Sequence, residues 1–160
     1  NEPLIEAAAE FADLVVSTGT STAEEIRRAH SLVARTGRDH IFLHCVSSYP
    51  TLMDDVSLSN LLWLKELTGK PSGFSDHTVG DQAAASACLL GAVMIEKHFT
   101  LSKAAAGPDH QMSAEPSDFR SMVEACLSAR KMLGSPRADQ MYDCERAIEG
   151  FRVVVRTESP

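Results

Sequence analysis

The sequence of 160 residues lacks a long apolar run, a basic segment and a closely spaced pair of cysteines. No stretch approaches the roughly 18 to 20 apolar residues that span a bilayer, so we expect no membrane partner. The formal net charge of −7, without any basic stripe, argues against a nucleic-acid or anionic-membrane surface. These absences leave a globular chain whose 44% hydrophobic content is enough for a core.

The amino terminus has no signal-peptide pattern, and the sequence contains no C-x-x-C pair. The four widely spaced cysteines are Cys45, Cys88, Cys126 and Cys144. This usage favours buried free thiols in a reducing compartment over disulfides, and therefore a cytoplasmic location. The sequence also lacks an initiator methionine, so we expect it to begin inside a longer protein.

Short apolar runs alternate with amphipathic segments, which is typical of βα units and a parallel sheet. The apolar runs predict strands at 14–16, 41–43, 72–74 and 93–96. The other segments predict helices at 1–11, from 21 to about 35, and at 58–67, 82–90 and 116–133. The second helix begins at Ser21-Thr22-Ala23-Glu24, a capping-box sequence in which we expect Ser21 to be the cap.

Four strands, each followed by a helix, with one helix in front, fit an open four-stranded sheet or half of an α/β (β/α)8 TIM barrel. A complete barrel has about 250 residues, and the leading helix without its strand favours the second half, strands five to eight. We therefore predict a half-barrel over 1–134 and a divergent tail or linker over 135–160, in which only 153–155 is strand-like.

Two histidines end adjacent predicted strands, in Gly73-Phe74-Ser75-Asp76-His77-Thr78 and Ile95-Glu96-Lys97-His98-Phe99. Ser75 lies two residues before His77, and Glu96 two before His98. Because side chains alternate along a strand, each pair points to one face, and the two imidazoles together could bind a divalent metal. A lone strand histidine is more often a satisfied core residue, so the residues alone leave both interpretations open.

Further polar residues follow the strands, at the end where barrels of this type carry their active sites. The hydroxyls of Ser17, Ser47 and Ser75 could cradle a phosphate or cap the following helices. Tyr49 could stack on a substrate or pack on the rim. Asp109, in a long loop, could accept hydrogen bonds from sugar hydroxyls or complete a turn.

Other charged and titratable residues have simpler interpretations. His44 is expected to pack beneath the loop that follows its strand, and His30 and His40 are expected at the surface. Lys97 alternates away from Glu96 and His98, so we expect it to point outward.

The motifs together resemble the sialic acid synthase family from residue 1 to about 133. The order and spacing match in Val16-Ser17-Thr18-Gly19, His44-Cys45-Val46-Ser47-Ser48-Tyr49-Pro50, the two histidine segments above, and Gly107-Pro108-Asp109-His110. The resemblance implies condensation of phosphoenolpyruvate with N-acetylmannosamine, its 6-phosphate or a related N-acetylated amino sugar, which releases phosphate and a nine-carbon 2-keto acid. It also implies a TIM barrel with a bound divalent metal, manganese before magnesium or cobalt.

The resemblance assigns roles to the matched residues. His77 and His98 would bind the metal, and with Glu96, close to metal and sugar, they would form the catalytic set. Ser17, Ser47 and Ser75 would hold phosphoenolpyruvate, while Tyr49 and Asp109 would contact the amino sugar. An antifreeze-like domain usually follows in the family, which works as a homodimer.

The match covers only the part of the barrel from its fourth to its eighth helix. The family's first four strands, with lysines that bind phosphoenolpyruvate, have no counterpart here, so we expect a truncated or split portion, inactive alone. Its partner would be a second copy or the missing half-barrel. The alternative is a non-catalytic half-barrel with a structural or assembly role, while another metal-dependent lyase or aldolase fits the motifs poorly.

Overall fold

The computed structural model describes residues 1–136 and 140–151, and within them the predicted parallel sheet is present. The strand-like segment 153–155 lies outside the described residues. The sheet has four parallel strands in the order β1-β2-β3-β4. Their bounds are β1 Leu14–Ser17, β2 His40–Cys45, β3 Ser72–Asp76 and β4 Ile95–Lys97.

Each strand is followed by a helix, and one helix precedes the first strand. The helices are α1 Glu2–Phe11, α2 Ala23–Thr36, α3 Ser59–Thr68, α4 Gln82–Leu89 and α5 Pro116–Leu133. Helix α1 packs on α2, and α4 packs on α5. None of the helices in the described ranges is long and apolar enough to cross a membrane. The predicted half-barrel fold is confirmed.

The core lies between the sheet and the helices. Phe74 packs in a buried cluster with Leu61 and Ala87, and Phe42 packs in a second one with Ile26 and Leu64. Because alternate residues face opposite sides, the residues next to Phe42 and Phe74 point to the other face of the sheet. That face corresponds to the interior of a barrel, and it carries the candidate site.

The interior face is tightly packed around Gly73. A Cβ at Gly73 would overlap the side chain of Leu43 and lie 2.9 Å from the carbonyl oxygen of Met94. A residue without a side chain is therefore required here, because the Met94 carbonyl already accepts from the Phe74 N–H and the buried Leu43 cannot move away without loss of packing.

The start of α2 differs from the sequence-based prediction. Thr22, not Ser21, is the N-cap: its Oγ1 accepts a hydrogen bond from the Glu25 backbone N–H at 3.3 Å, and the Glu25 carboxylate accepts one from the Thr22 N–H at 2.7 Å. The chain is still turning at Ser21, whose hydroxyl donates to the Gly19 carbonyl. The capping box therefore begins one residue later than predicted.

We expect Thr22→Ala to lower the free energy of unfolding by about 1 kcal/mol, because it removes the acceptor for a backbone N–H of the first turn. Ser21→Ala is the matched control and should have little effect. Urea denaturation of both variants would measure the difference. A larger loss for Ser21→Ala would contradict the observed cap.

The expectation that His40 lies at the surface is wrong, since it is only 6% exposed. Strand β2 begins at His40, so His40 shares the helix-facing side with Phe42. Its Nε2 lies 3.0 Å from Nδ1 of the half-buried His30 on α2. The apolar run 41–43 does not indicate that the strand also includes His40 before it and residues 44 and 45 after it.

All four cysteines are free thiols, as predicted. Only Cys88 is fully buried, however, and Cys144 is exposed, contrary to the expectation of buried thiols. Burial, with the neighbouring Cys88, raises the pKa of Cys126 to about 12, so this thiol stays protonated.

Candidate metal and substrate site

The register between β3 and β4 places the two histidines side by side. Ser75 pairs with Glu96 and Asp76 with Lys97, so His77 and His98 occupy the next position beyond the paired strands. Their ring centroids are 5.3 Å apart and the rings are nearly perpendicular, at 75°. Both imidazoles lie on the face that corresponds to the barrel interior.

The His77 ring is held in one orientation by the neighbouring loop. Its Nδ1 lies 2.8 Å from the carbonyl oxygen of Val46. Since a carbonyl only accepts, Nδ1 carries the proton and Nε2 keeps its lone pair in the neutral ring. Nε2 lies 3.5 Å from the Ser75 hydroxyl, on the site side. Histidines that bind metals in proteins are typically oriented in this way.

Glu96 is fixed beside the histidine pair by Ser75. The buried Ser75 hydroxyl donates a hydrogen bond of 2.6 Å to Oε1 of Glu96. The other carboxylate oxygen has no hydrogen-bond partner in the described part of the chain. Glu96 is thus linked through the Ser75 hydroxyl to the side of His77 that carries Nε2, and it offers a free carboxylate oxygen there.

The Tyr49 ring lies over the two imidazoles. Its centroid is 4.2 Å from that of His77 and 5.5 Å from that of His98, and the residue is 48% exposed. Thr51 holds this loop, because its N–H donates to the His77 carbonyl at 2.9 Å and its hydroxyl to the Ser48 carbonyl. Tyr49 thus screens one side of the pair from water.

Ser17 and Ser47 lie farther along the sheet. Ser47 packs against Gly19, where a Cβ would overlap its hydroxyl oxygen, and Ser47 lines a groove of about 630 Å³ that Ser17 does not line. Ser17 ends β1, two strands from β3, at a separation of roughly 10 Å given the spacing of strands. The structure does not bring Ser17 into contact with Ser75.

Asp109 is exposed and directly precedes a 3₁₀ turn at His110–Met112. The loop is anchored where the Ser113 hydroxyl donates to the Asp109 carbonyl at 2.6 Å and where Thr100 Oγ1 lies 2.7 Å from His110 Nδ1. Within residues 1–136 and 140–151, the Asp109 carboxylate has no polar partner and no contact with the histidine pair. Its proposed contact with a sugar stays a prediction.

The donor set fits a divalent metal in part. Two imidazoles with one fixed lone pair and a nearby carboxylate are ligands that manganese, cobalt and zinc accept. No group of three His, Cys, Asp or Glu side chains in the described ranges is close enough to hold an ion. These residues could therefore supply two ligands to a metal, and the other coordination positions would then fall to water, substrate or further groups.

The sequence interpretation missed a buried ion pair behind the histidines. Lys97 does point away from Glu96, but it is not at the surface: its side chain is 6% exposed, and its Nζ lies 2.7 Å from Oδ2 of the completely buried Asp76. Alternation along the strand indicates the side on which Lys97 lies, but its partner follows only from the register of the folded sheet, which pairs Asp76 with Lys97.

His44 packs beneath the loop, as predicted. Its Nε2–H donates to the Val56 carbonyl at 2.6 Å, and its ring stacks on Phe74. Burial lowers the pKa of His44, and the hydrogen bond to Val56 only partly opposes this shift. Burial also lowers the pKa of His30.

We expect the chain to lose stability as the pH falls from 7.5 to 5. A histidine whose pKa is lower in the folded state contributes stability above its unfolded pKa of about 6.5, and that contribution is lost below it because the unfolded chain then binds more protons. His44→Gln keeps an N–H donor but cannot titrate, so its denaturation midpoint should vary less with pH than that of the unmodified chain. An equal pH dependence in both would contradict this role of His44.

Comparison with known proteins places these residues in a family context. The NeuB family profile matches residues 1–138. An uncharacterized protein of Methanocaldococcus jannaschii is 46% identical and aligns with 98% of this chain and 49% of its own length. The pseudaminic acid synthase of Helicobacter pylori is 41% identical over 76% of this chain and 36% of its own length.

Among solved structures, the N-acetylneuraminic acid (sialic acid) synthetase of Leptospira borgpetersenii, in complex with citrate, superposes with a TM-score of 0.83. It is 36% identical, and the match covers 94% of this chain and 53% of that one. The chain thus spans about half the length, or less, of the proteins that it matches.

Proposed function

Because this chain belongs to the NeuB family, we propose that it forms the metal-binding part of a site that condenses phosphoenolpyruvate with an N-acetylated amino sugar. The observation that carries this proposal is the convergence of His77 and His98 beside Glu96, beneath Tyr49. The similarity to a pseudaminic acid synthase and to a sialic acid synthetase supports the same type of reaction.

His77 and His98 would hold the divalent metal, which we propose to be manganese. When bound, such an ion polarises a carbonyl oxygen as a Lewis acid, and this is the activation that a sugar aldehyde needs for attack by an enol-ether carbon. Because the hydrogen bond to Val46 holds the proton on Nδ1 of His77, the lone pair of Nε2 would be available to the metal.

The remaining residues would bind and orient the two substrates. Glu96 offers a carboxylate oxygen to a sugar hydroxyl, and Tyr49 offers a ring face and exclusion of water. Asp109, on its exposed loop, would reach the same sugar. Ser17 and Ser47, farther from the histidines, suit the oxygens of phosphoenolpyruvate, whose phosphate then lies towards β1.

Phosphoenolpyruvate is multiply anionic, and the lysines near this rim are already paired. Lys97 is bound to Asp76, and Lys103 lies 2.7 Å from Asp118. Electrostatic stabilisation of a transferring phosphate is usually a large part of catalysis. We therefore propose that residues 1–160 are inactive by themselves and that a second polypeptide surface supplies the cations.

Complementation tests this function. The chain would be mixed with the part of the Methanocaldococcus jannaschii relative that lies outside the match, together with phosphoenolpyruvate, N-acetylmannosamine and Mn²⁺. We expect release of phosphate and a 2-keto acid only from the mixture, and none when the chain carries His98→Ala. Product from the chain alone would contradict the division of the site, and no product from any mixture would favour a non-catalytic assembly role.

The sheet edges predict association in either role. Strands β1 and β4 each have one neighbouring strand in the described sheet; Val15 of β1 is 52% exposed, and Val93, two residues before β4, is 59% exposed. Apolar parallel strands are normally covered and paired, so exposed edges recruit another chain. Sedimentation velocity at micromolar concentration should show a species larger than one chain, as a homodimer or with the complementary half. A monomer that unfolds cooperatively would contradict this.

A further inference from the structure

Behind the histidine pair, on the helix-facing side of the sheet, three residues form a closed polar network. Lys97 Nζ donates to Oδ2 of Asp76 and to the Thr78 carbonyl, both at 2.7 Å. The other Asp76 oxygen accepts from the Thr78 N–H at 2.9 Å and from its hydroxyl at 2.8 Å. Each carboxylate oxygen thus has a partner inside the fold.

Stability alone does not account for this network. Asp76 and Lys97 have side chains that are 0% and 6% exposed, so both charges have left water. The desolvation of a buried pair offsets much of its attraction, and apolar residues of similar shape are often at least as stabilising. A buried pair of this kind has its best-supported role in fixing one arrangement of the groups around it.

The position of the network identifies the groups that it would fix. Asp76 and Thr78 flank His77 in the chain, while Lys97 lies between Glu96 and His98. Strand β4 is only three residues long, and its pairing with β3 ends at Asp76 and Lys97. Beyond this point the ladder no longer joins the two strands, so the Lys97 contacts are the last cross-strand link before the two imidazoles.

We propose that Lys97 and Asp76 are positioning residues, which set the separation and orientation of His77 and His98 and thereby the metal affinity of the site. This inference rests on the proposed metal-binding role of the two histidines. The ammonium group joins β4 to residues on both sides of His77, so its removal leaves each imidazole free to move on its own strand end. Neither residue touches the metal position itself.

The test is calorimetric titration, first with Ni²⁺ and then, on a fresh sample, with Mn²⁺. Ni²⁺ comes first because imidazole sites bind it more tightly than Mn²⁺. The main variant is Asp76→Asn/Lys97→Met, which keeps the shape and leaves no unpaired charge. Thr78→Val removes one hydrogen bond and is a milder second variant. Val33→Ala, at a buried position of α2, is the control for a loss of stability without a change at the strand ends.

We expect the double variant to lose at least about 10-fold in metal affinity, since residues that orient metal ligands typically contribute this much. Thr78→Val should lose less, and Val33→Ala should bind as the unmodified chain does. If the folded double variant binds metal as tightly as the unmodified chain, while His98→Ala abolishes binding, the positioning role is wrong and the metal site itself stands. No metal binding by the unmodified chain would overturn this inference and the proposed function together.

Discussion

His98→Ala is expected to lower the affinity of the chain for divalent metal at least about 100-fold, and His77→Ala to do the same. Each change leaves one imidazole, and a single neutral nitrogen cannot hold a transition-metal ion against water at micromolar concentration. Calorimetric titration of the purified chain at pH 7.5, where free imidazoles are neutral, would measure the loss.

The chain contains its own control for this experiment. His30 and His40 also lie together, with ring nitrogens 3.0 Å apart, at the opposite end of the sheet. Nδ1 of His40 lies 3.3 Å from the Arg38 carbonyl, so this pair is part of a hydrogen-bonded chain. We expect His30→Ala to leave the metal affinity unchanged. Loss of binding in His30→Ala and retention in His98→Ala would place the metal at the wrong end of the sheet for the proposed reaction.

The second large effect concerns the folded state. Lys97→Met should lower the free energy of unfolding by about 3 to 5 kcal/mol, because it leaves the Asp76 carboxylate buried without a counter-charge. That is a large share of the 5 to 15 kcal/mol that typically stabilises a domain. Adding Asp76→Asn should recover most of the loss. Urea denaturation of the single and double variants would measure both.

A surface ion pair of the same length is the matched control. Lys103 lies 2.7 Å from Asp118, with both side chains more than 40% exposed. Exposed pairs contribute little, since water screens them and both side chains lose freedom. Lys103→Met should therefore change stability hardly at all. A loss for Lys97→Met as small as that for Lys103→Met would show that the Asp76 pair is not energetically isolated from solvent.

Local patterns predicted most of the fold. Residues 14–16 and 41–43 are apolar runs between helix signals, and a buried parallel strand requires such runs. Gly37 and Gly69 end α2 and α3 in the left-handed conformation, with φ of 74° and 64°, which glycine adopts without strain. These features depend on neighbours in sequence, so the sequence contains the information directly.

One error is local, and the other two arose where residues distant in sequence decide the outcome. Ser21 and Thr22 can both cap a helix, and the turn that begins at Thr18 selects Thr22. His40 is a polar residue at the start of strand β2, and it is buried beside His30 of helix α2. Alternation predicts the correct side of the strand for Lys97 but not its burial, because its partner Asp76 lies 21 residues away on the neighbouring strand.

In the candidate site, too, some features follow from the local sequence and others from distant parts of the fold. Alternation along the strands was enough to place Ser75 with His77 and Glu96 with His98, and the register then brings the pairs together. The hydrogen bond from His77 to Val46, which fixes the tautomer, depends on the path of the loop after β2. Ser17 lies on a strand two positions away, so its sequence motif alone gave no measure of its distance from the histidines.

The most direct test of the central claim is electron spin-echo envelope modulation of Mn²⁺ bound to the chain, with and without ¹⁵N-labelled histidine. If His77 and His98 both bind the ion, the spectrum should show nitrogen modulation from two imidazoles. The modulation should change when the histidines are labelled. In His98→Ala, at high metal concentration, it should fall to that of one imidazole. Mn²⁺ bound without histidine nitrogen, or with modulation that neither His77→Ala nor His98→Ala alters, would contradict the proposal that these two strand ends hold the metal.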